Sequence, residues 1–129
     1  NEDAALQLRQ TLENCFTNQL LAYIIGVLAD KEHKKMLEIM LPFASKIYTI
    51  TPANTRGMDG KLLLEEAKEV CAEHDLSIDM EFCSSIGEAL EKALDYGRKN
   101  QQPILAFGSL SYLGELRQTI ICESRNRND

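Results

Sequence analysis

The sequence predicts an α/β fold: a three-layer sandwich with a mostly parallel, Rossmann-like sheet and helices on both faces. Two observations carry this. Apolar runs that lack polar alternation, as strands covered on both faces do, take turns with segments of helical period. The connections between them are short, so successive strands are expected to pair in parallel through right-handed crossovers.

Taken in order, residues 3–16, "DAALQLRQTLENCF", place Ala5, Leu8, Leu12, Cys15 and Phe16 on one helical face behind acids that suit a helix start. Residues 20–28, "LLAYIIGVL", form a nearly unbroken apolar run and predict a doubly covered strand. A helix over about 31–42 carries Met36, Leu37, Met40 and Leu41 and ends near Pro42, and "KIYTIT" at 46–51 is strand-like. Leu62, Leu63, Ala67, Val70 and Cys71 stripe a helix over 60–74, entered through the turn-forming "MDG". "SIDMEF", 77–82, alternates strictly and predicts an edge strand or one with a wet face. Ser85 and Glu88 form a capping box for the helix bearing Ile86, Ala89, Leu90, Ala93 and Leu94. A last buried strand, "ILAFG", precedes a helix expected from about Ser111 to Cys122, and "ESRNRND" is expected to fray. The expected pattern is βαβαβαβα behind a leading helix, one domain over 1–122 with a flexible tail at 123–129.

The bulk properties narrow the function. A chain of 129 residues can build one core without disulfides. The net charge is −6, with acids and bases interleaved, so no basic stripe exists to grip nucleic acid. The longest apolar stretch is too short for a bilayer and the N-terminus lacks a signal-peptide pattern, which predicts a cytoplasmic protein without a membrane partner. Cys15, Cys71, Cys83 and Cys122 show no C-x-x-C pair and no ligand spacing to His33 or His74, and read as free, mostly buried thiols. Metal-binding residues are therefore not expected.

In an open parallel sheet, ligands bind beyond the carboxyl ends of the strands, so the loops there are the candidates. They hold Ala29-Asp30-Lys31, then "TPANTRG" at 51–57, then Gly108-Ser109-Leu110-Ser111. Asp30, Lys31, Asn54, Arg56 and Ser109 on one rim suit a polar anionic ligand, with Arg56 able to fork onto a carboxylate or phosphate. Each has a plainer role open to it: Asp30 as a helix cap, Lys31 and Arg56 as solvated charges, Asn54 as a turn residue, Ser109 as a cap. The chain has no phosphate loop, no G-x-G-x-x-G after the first strand, and no His in a strand-end loop to serve a catalytic triad. The residues alone describe a ligand-binding domain and not a complete enzyme.

"GVLADKE", "TPANTR", "SIGEALEKAL" and "GSLSYLGELR", in that order, resemble the C-terminal domain of folylpolyglutamate synthase and dihydrofolate synthase, of the Mur ligase superfamily. The resemblance runs over essentially the whole chain up to the tail. It implies an ATP-dependent ligase that adds L-glutamate to dihydropteroate or a folate through an acyl phosphate. It implies that ATP and Mg2+ are held mainly by an N-terminal and central ATPase domain absent from this chain, so that the excised fragment alone is inactive. By matching position, Asn1 would border the adenine, while Asp30, Lys31, Asn54, Arg56 and Ser109 would line the inter-domain cleft or glutamate site. The sequence departs from the family's usual pattern at Glu2, Glu32 and Thr55, and Tyr112 stands one residue late. A competing reading from another class is a stand-alone receiver-like or regulatory domain with Asp30 as phosphoacceptor. That reading requires an acidic pair after an earlier strand, where a helix is expected instead.

Overall fold

The computed structural model describes residues 2–30 and 32–108, together with the backbone of 118–121. Helix α1 spans Glu2–Cys15, β1 Leu21–Gly26, α2 His33–Met40, β2 Ala44–Thr49, α3 Gly60–Glu73, β3 Asp79–Phe82, α4 Ile86–Asn100, β4 Ile104–Gly108 and β5 Gln118–Ile121. A 3-10 turn at Leu41–Phe43, with Pro42 in it, ends α2 and turns the chain into β2, where the proline was expected to stop the helix. The strand order is β3-β2-β1-β4-β5. β1 pairs in parallel with β2 and β4, and β2 in parallel with β3.

The alternation of side chains along β1 shows how the layers are made. Leu21, Tyr23 and Ile25 face a core built with Leu8 and Leu12 of α1, Leu37 and Met40 of α2, and Leu63, Ala67 and Val70 of α3. Ala22 and Ile24 face the other way, against Ala89 and Ala93 of α4. Every residue of β1 is buried, which is why this strand carries no polar alternation. Tyr23 is the exception in type; its hydroxyl donates to the Met40 carbonyl at 2.7 Å and its ring meets Phe107 edge-on, so one side chain ties β1 to α2 and β4. Burial raises its pKa well above the usual tyrosine range and keeps the phenol neutral.

β3 is the edge strand that its alternation predicts, with Asp79 exposed and the other three residues half-buried. The Ser85 cap also forms: its hydroxyl accepts from the Glu88 N–H at 3.1 Å. The Glu88 carboxylate returns not to Ser85 but to the N–H and hydroxyl of Ser84, one residue earlier.

The end of the chain needs a correction. Where a helix to Cys122 is expected, residues 118–121 form β5, antiparallel to β4 with Ile104 opposite Ile121 and Phe107 opposite Gln118. "QTII" holds three β-branched residues in succession, which favour a pleated strand, and β4 offers an edge whose ladder would otherwise lie open. The sheet is therefore mostly parallel with one antiparallel edge. Residues 111–117 of that expected helix, and the tail at 123–129, lie outside the described residues.

Candidate functional site

The crossovers from β1 to β2 and from β2 to β3 place α2 and α3 on one face, whereas the return from β3 to β4 places α4 on the other. The strand order therefore reverses between β1 and β4, the kind of place at whose carboxyl ends open α/β sheets bind ligands. Gly26 and Gly108 stand opposite each other there. Gly108 has φ +97, and a Cβ on it would come within 2.1 Å of the Gly26 carbonyl oxygen, so only glycine lets the two strand ends run this close.

The loop after β1 and the loop after β2 are stitched together by main chain. Leu28 and Gly57 form an antiparallel bridge, in which the Ala29 N–H donates to the Arg56 carbonyl at 2.8 Å and the Met58 N–H to the Val27 carbonyl at 2.9 Å. Gly57 makes the bridge possible, since a Cβ there would lie 2.8 Å from the Pro52 carbonyl oxygen and 3.1 Å from that of Asn54. Within the second loop the Asn54 side chain accepts from the Arg56 N–H at 2.8 Å, and the Asn54 carbonyl accepts from the Gly57 N–H at 2.9 Å. The loop closes on α3, where the Thr51 hydroxyl accepts from the Gly60 N–H and the Thr49 hydroxyl donates to the Gly60 carbonyl, both at 2.8 Å.

This scaffold sets Arg56 beside Asp30, with Nη2 3.4 Å from Oδ2. Both side chains are more than half exposed, at 57% and 60%, so the pair is open to water and to any ligand that enters. An exposed pair at this distance contributes little to stability, which leaves the guanidinium cheap to redirect onto an anion. Asp30 does not cap α2. That helix starts at His33 with Glu32 as its N-cap, and no side chain caps it. Of the six residues singled out from the sequence, the structure brings Asp30, Asn54 and Arg56 together; Asn1, Lys31 and Ser109 lie outside the described residues.

Two glycines that the candidate loops contain, and to which the sequence alone assigns no role, shape this rim: Gly57, which permits the bridge, and Gly108, which permits the close strand ends. A glycine directly after a charged loop residue, and one at the end of each of two buried strands, were the signals available.

Two groups of side chains among the described residues have metal-ligand spacing, and neither fits Mg2+. Glu38, Glu73 and His74 lie between α2 and α3, where Lys34 sits 3.7 Å from Glu73. Glu81, Cys83 and Glu88 lie beside β3, where Lys92 already holds both carboxylates. Mg2+ takes oxygen ligands and retained waters, whereas each of these sets includes an imidazole or a thiol and has an ammonium against it. His33 is likewise engaged, its Nδ1 against the Glu66 carboxylate across α2 and α3. Cys71 and Cys83 are free and buried and Cys15 is free and exposed.

The profile of the dihydrofolate synthetase C-terminal domain matches residues 1–119. The chain belongs to that family. The family membership and the helix that precedes β1 leave no support for the receiver-like alternative. Among solved structures, the chain is similar to Mycobacterium tuberculosis folylpolyglutamate synthase complexed with ADP, at 19% identity and a TM-score of 0.71, over 84% of this chain and 25% of that one. A second structure of the synthase from that organism, complexed with ADP and AMPPCP, gives 21% identity and a TM-score of 0.67 over 77% of this chain and 22% of that one. These likenesses show a shared fold, and the chain spans about a quarter of the length of either synthase. No curated protein matches it. Among the described residues, no helix is long and apolar enough to cross a membrane.

Proposed function

We propose that the chain serves as the C-terminal domain of a cytoplasmic ATP-dependent ligase that joins L-glutamate to dihydropteroate or a reduced folate. The family match over residues 1–119 is the observation that carries the reading. In the proposed reaction an oxygen of the acceptor carboxylate attacks the γ-phosphorus of ATP and ADP leaves. The glutamate nitrogen then attacks the acyl carbon of the acyl phosphate, phosphate leaves with the bonding pair, and the nitrogen gives up a proton as the amide forms. Mg2+, when bound, neutralises charge on the transferring phosphoryl group. The described residues hold no set suited to it, so its ligands are assigned to the N-terminal ATPase domain of the full-length protein.

The work left to this domain is binding and exclusion of water. An acyl phosphate hydrolyses if water reaches it, and a domain that closes over the intermediate protects it. Arg56 is assigned to an anionic group of the incoming substrate, most simply a glutamate carboxylate, by charge-assisted hydrogen bonds. Asp30 holds the guanidinium when the site is empty and offers a carboxylate to the substrate amine or to the facing ATPase domain. Lys31, Asn54 and Ser109 are assigned to the same cleft, and Asn1 to the border of the adenine. The test is ADP release by the native full-length protein with ATP, Mg2+ and L-glutamate, comparing dihydropteroate, tetrahydrofolate and no acceptor. Release that needs both glutamate and a pterin is expected; release indifferent to pterins overturns the substrate assignment.

A further inference from the structure

We infer that Asn54 is a positioning residue that acts through Arg56 and does not itself contact the anionic substrate. The inference deepens the ligase reading and rests on it. Arg56 is exposed on a loop, yet both polar groups of its main chain are committed: its carbonyl accepts from Ala29 at 2.8 Å, and its N–H donates to the Asn54 Oδ1 at 2.8 Å. The first contact comes from the loop after β1, and the second from a side chain two residues back. The backbone of Asn54 is fixed in turn, since its N–H donates to the Pro52 carbonyl and its carbonyl accepts from Gly57, both at 2.9 Å. Pro52 is buried, which anchors the start of this run.

The acceptor oxygen of the Asn54 amide is thereby spent on the main chain of the residue whose guanidinium pairs with Asp30. Without that bond the Arg56 peptide loses one of its two restraints and the guanidinium samples positions away from Asp30. An exposed arginine is worth most to a ligand when its ordering is already done, because the entropy of fixing a long side chain is otherwise charged to binding. Removing a restraint on the peptide therefore weakens ground-state binding of the anion and leaves the chemical step nearly untouched.

The substitution Asn54→Asp tests the main-chain bond. Aspartate keeps the acceptor oxygen that the Arg56 N–H needs, and adds a charge that itself disfavours an anionic substrate, so it is read by exchange of the Arg56 amide and not by KM. In the full-length protein, Asn54→Ala is expected to raise KM for L-glutamate about fivefold, the size of one ordinary hydrogen bond, with kcat and KM for ATP little changed. The double variant Asn54→Ala/Arg56→Ala should be no worse than Arg56→Ala alone, since a residue acting through Arg56 has nothing to act on once it is gone. A double variant clearly worse than Arg56→Ala overturns the inference and makes Asn54 a ligand contact. Hydrogen exchange of the Arg56 amide in the same proteins keeps this separate from the ligase reading. Protection should be lost in Asn54→Ala and kept in Asn54→Asp whether or not ADP release proves glutamate-dependent. Equal protection in all three proteins overturns the positioning role, and absence of glutamate-dependent release overturns the ligase reading alone.

Discussion

Two charged constellations in this protein pair opposite charges in contrasting ways. Beside the edge strand, Lys46 donates to Asp79 at 2.7 Å, lies 3.8 Å from Glu81 and sits over the Tyr48 ring, while Lys92 of α4 holds Glu81 and Glu88. Those residues stand on strands and a helix, and the Lys46 side chain is only 11% exposed. At the rim, Asp30 and Arg56 stand on loops, pair at a longer distance, and are exposed by more than half. The edge network is held by its side chains; the rim is held by its main chain, through the Leu28–Gly57 bridge, and leaves its side chains open. A buried lysine stem and a satisfied ammonium belong to the fold, whereas an ordered backbone presenting loosely paired charge is what the proposed binding role requires.

The largest expected effect is at Arg56. Removing its charge-assisted contacts in Arg56→Ala is expected to lower kcat/KM for L-glutamate by roughly 30-fold, about 2 kcal/mol, and to leave urea stability within about 0.5 kcal/mol of wild type. Gly57→Ala comes next. Its Cβ would press on two main-chain carbonyls, so the bridge must shift, and a cost of roughly 1–2 kcal/mol in stability is expected together with a raised KM for glutamate. Lys46→Ala should show the reverse of Arg56→Ala, with about 1 kcal/mol of stability lost from stem packing and ion pairing and no change in glutamate dependence.

The smallest effect is at high pH. Burial, with Glu88 and Glu81 nearby, pushes the Cys83 thiol from 9.0 up to about 11. Burial and the Glu81 carboxylate push Tyr48 from 10.0 up to about 12. Both folded values are raised, so the unfolded chain loses these protons first. Their stabilising contribution is whole below about pH 9 and is lost as pH rises through 9 to 12. Urea midpoints measured at pH 7, 9 and 10.5 should fall across the last interval, and Cys83→Ala should flatten the part of the fall nearest pH 9.

Much of this was legible in the sequence, and the failures have physical causes. β1 could be read because all six of its residues are buried, and β3 because its alternation matches an edge. The strand ends could be read as a rim because parallel crossovers put them on one side, which brought Asp30, Asn54 and Arg56 into view. The bridge between the two loops could not, since main-chain hydrogen bonds leave no side-chain pattern and Gly57 looks like any turn glycine. The role of Lys46 within the strand-like "KIYTIT" could not be read, because its partners Asp79 and Tyr48 lie on the next strand and two residues on. β5 was misread because its apolar residues fit a helical stripe as well as a strand; the open edge of β4, visible only in three dimensions, decides for the strand.

Whether charge at the rim serves a ligand while charge at the edge serves the fold is decided by measuring glutamate-dependent ADP release and urea unfolding on the full-length protein carrying Arg56→Ala and, separately, Lys46→Ala. The expected result is that Arg56→Ala needs far more glutamate for the same ADP release and keeps its stability, while Lys46→Ala loses stability and keeps its KM for glutamate. An Arg56→Ala protein that releases ADP with an unchanged KM for glutamate would contradict it.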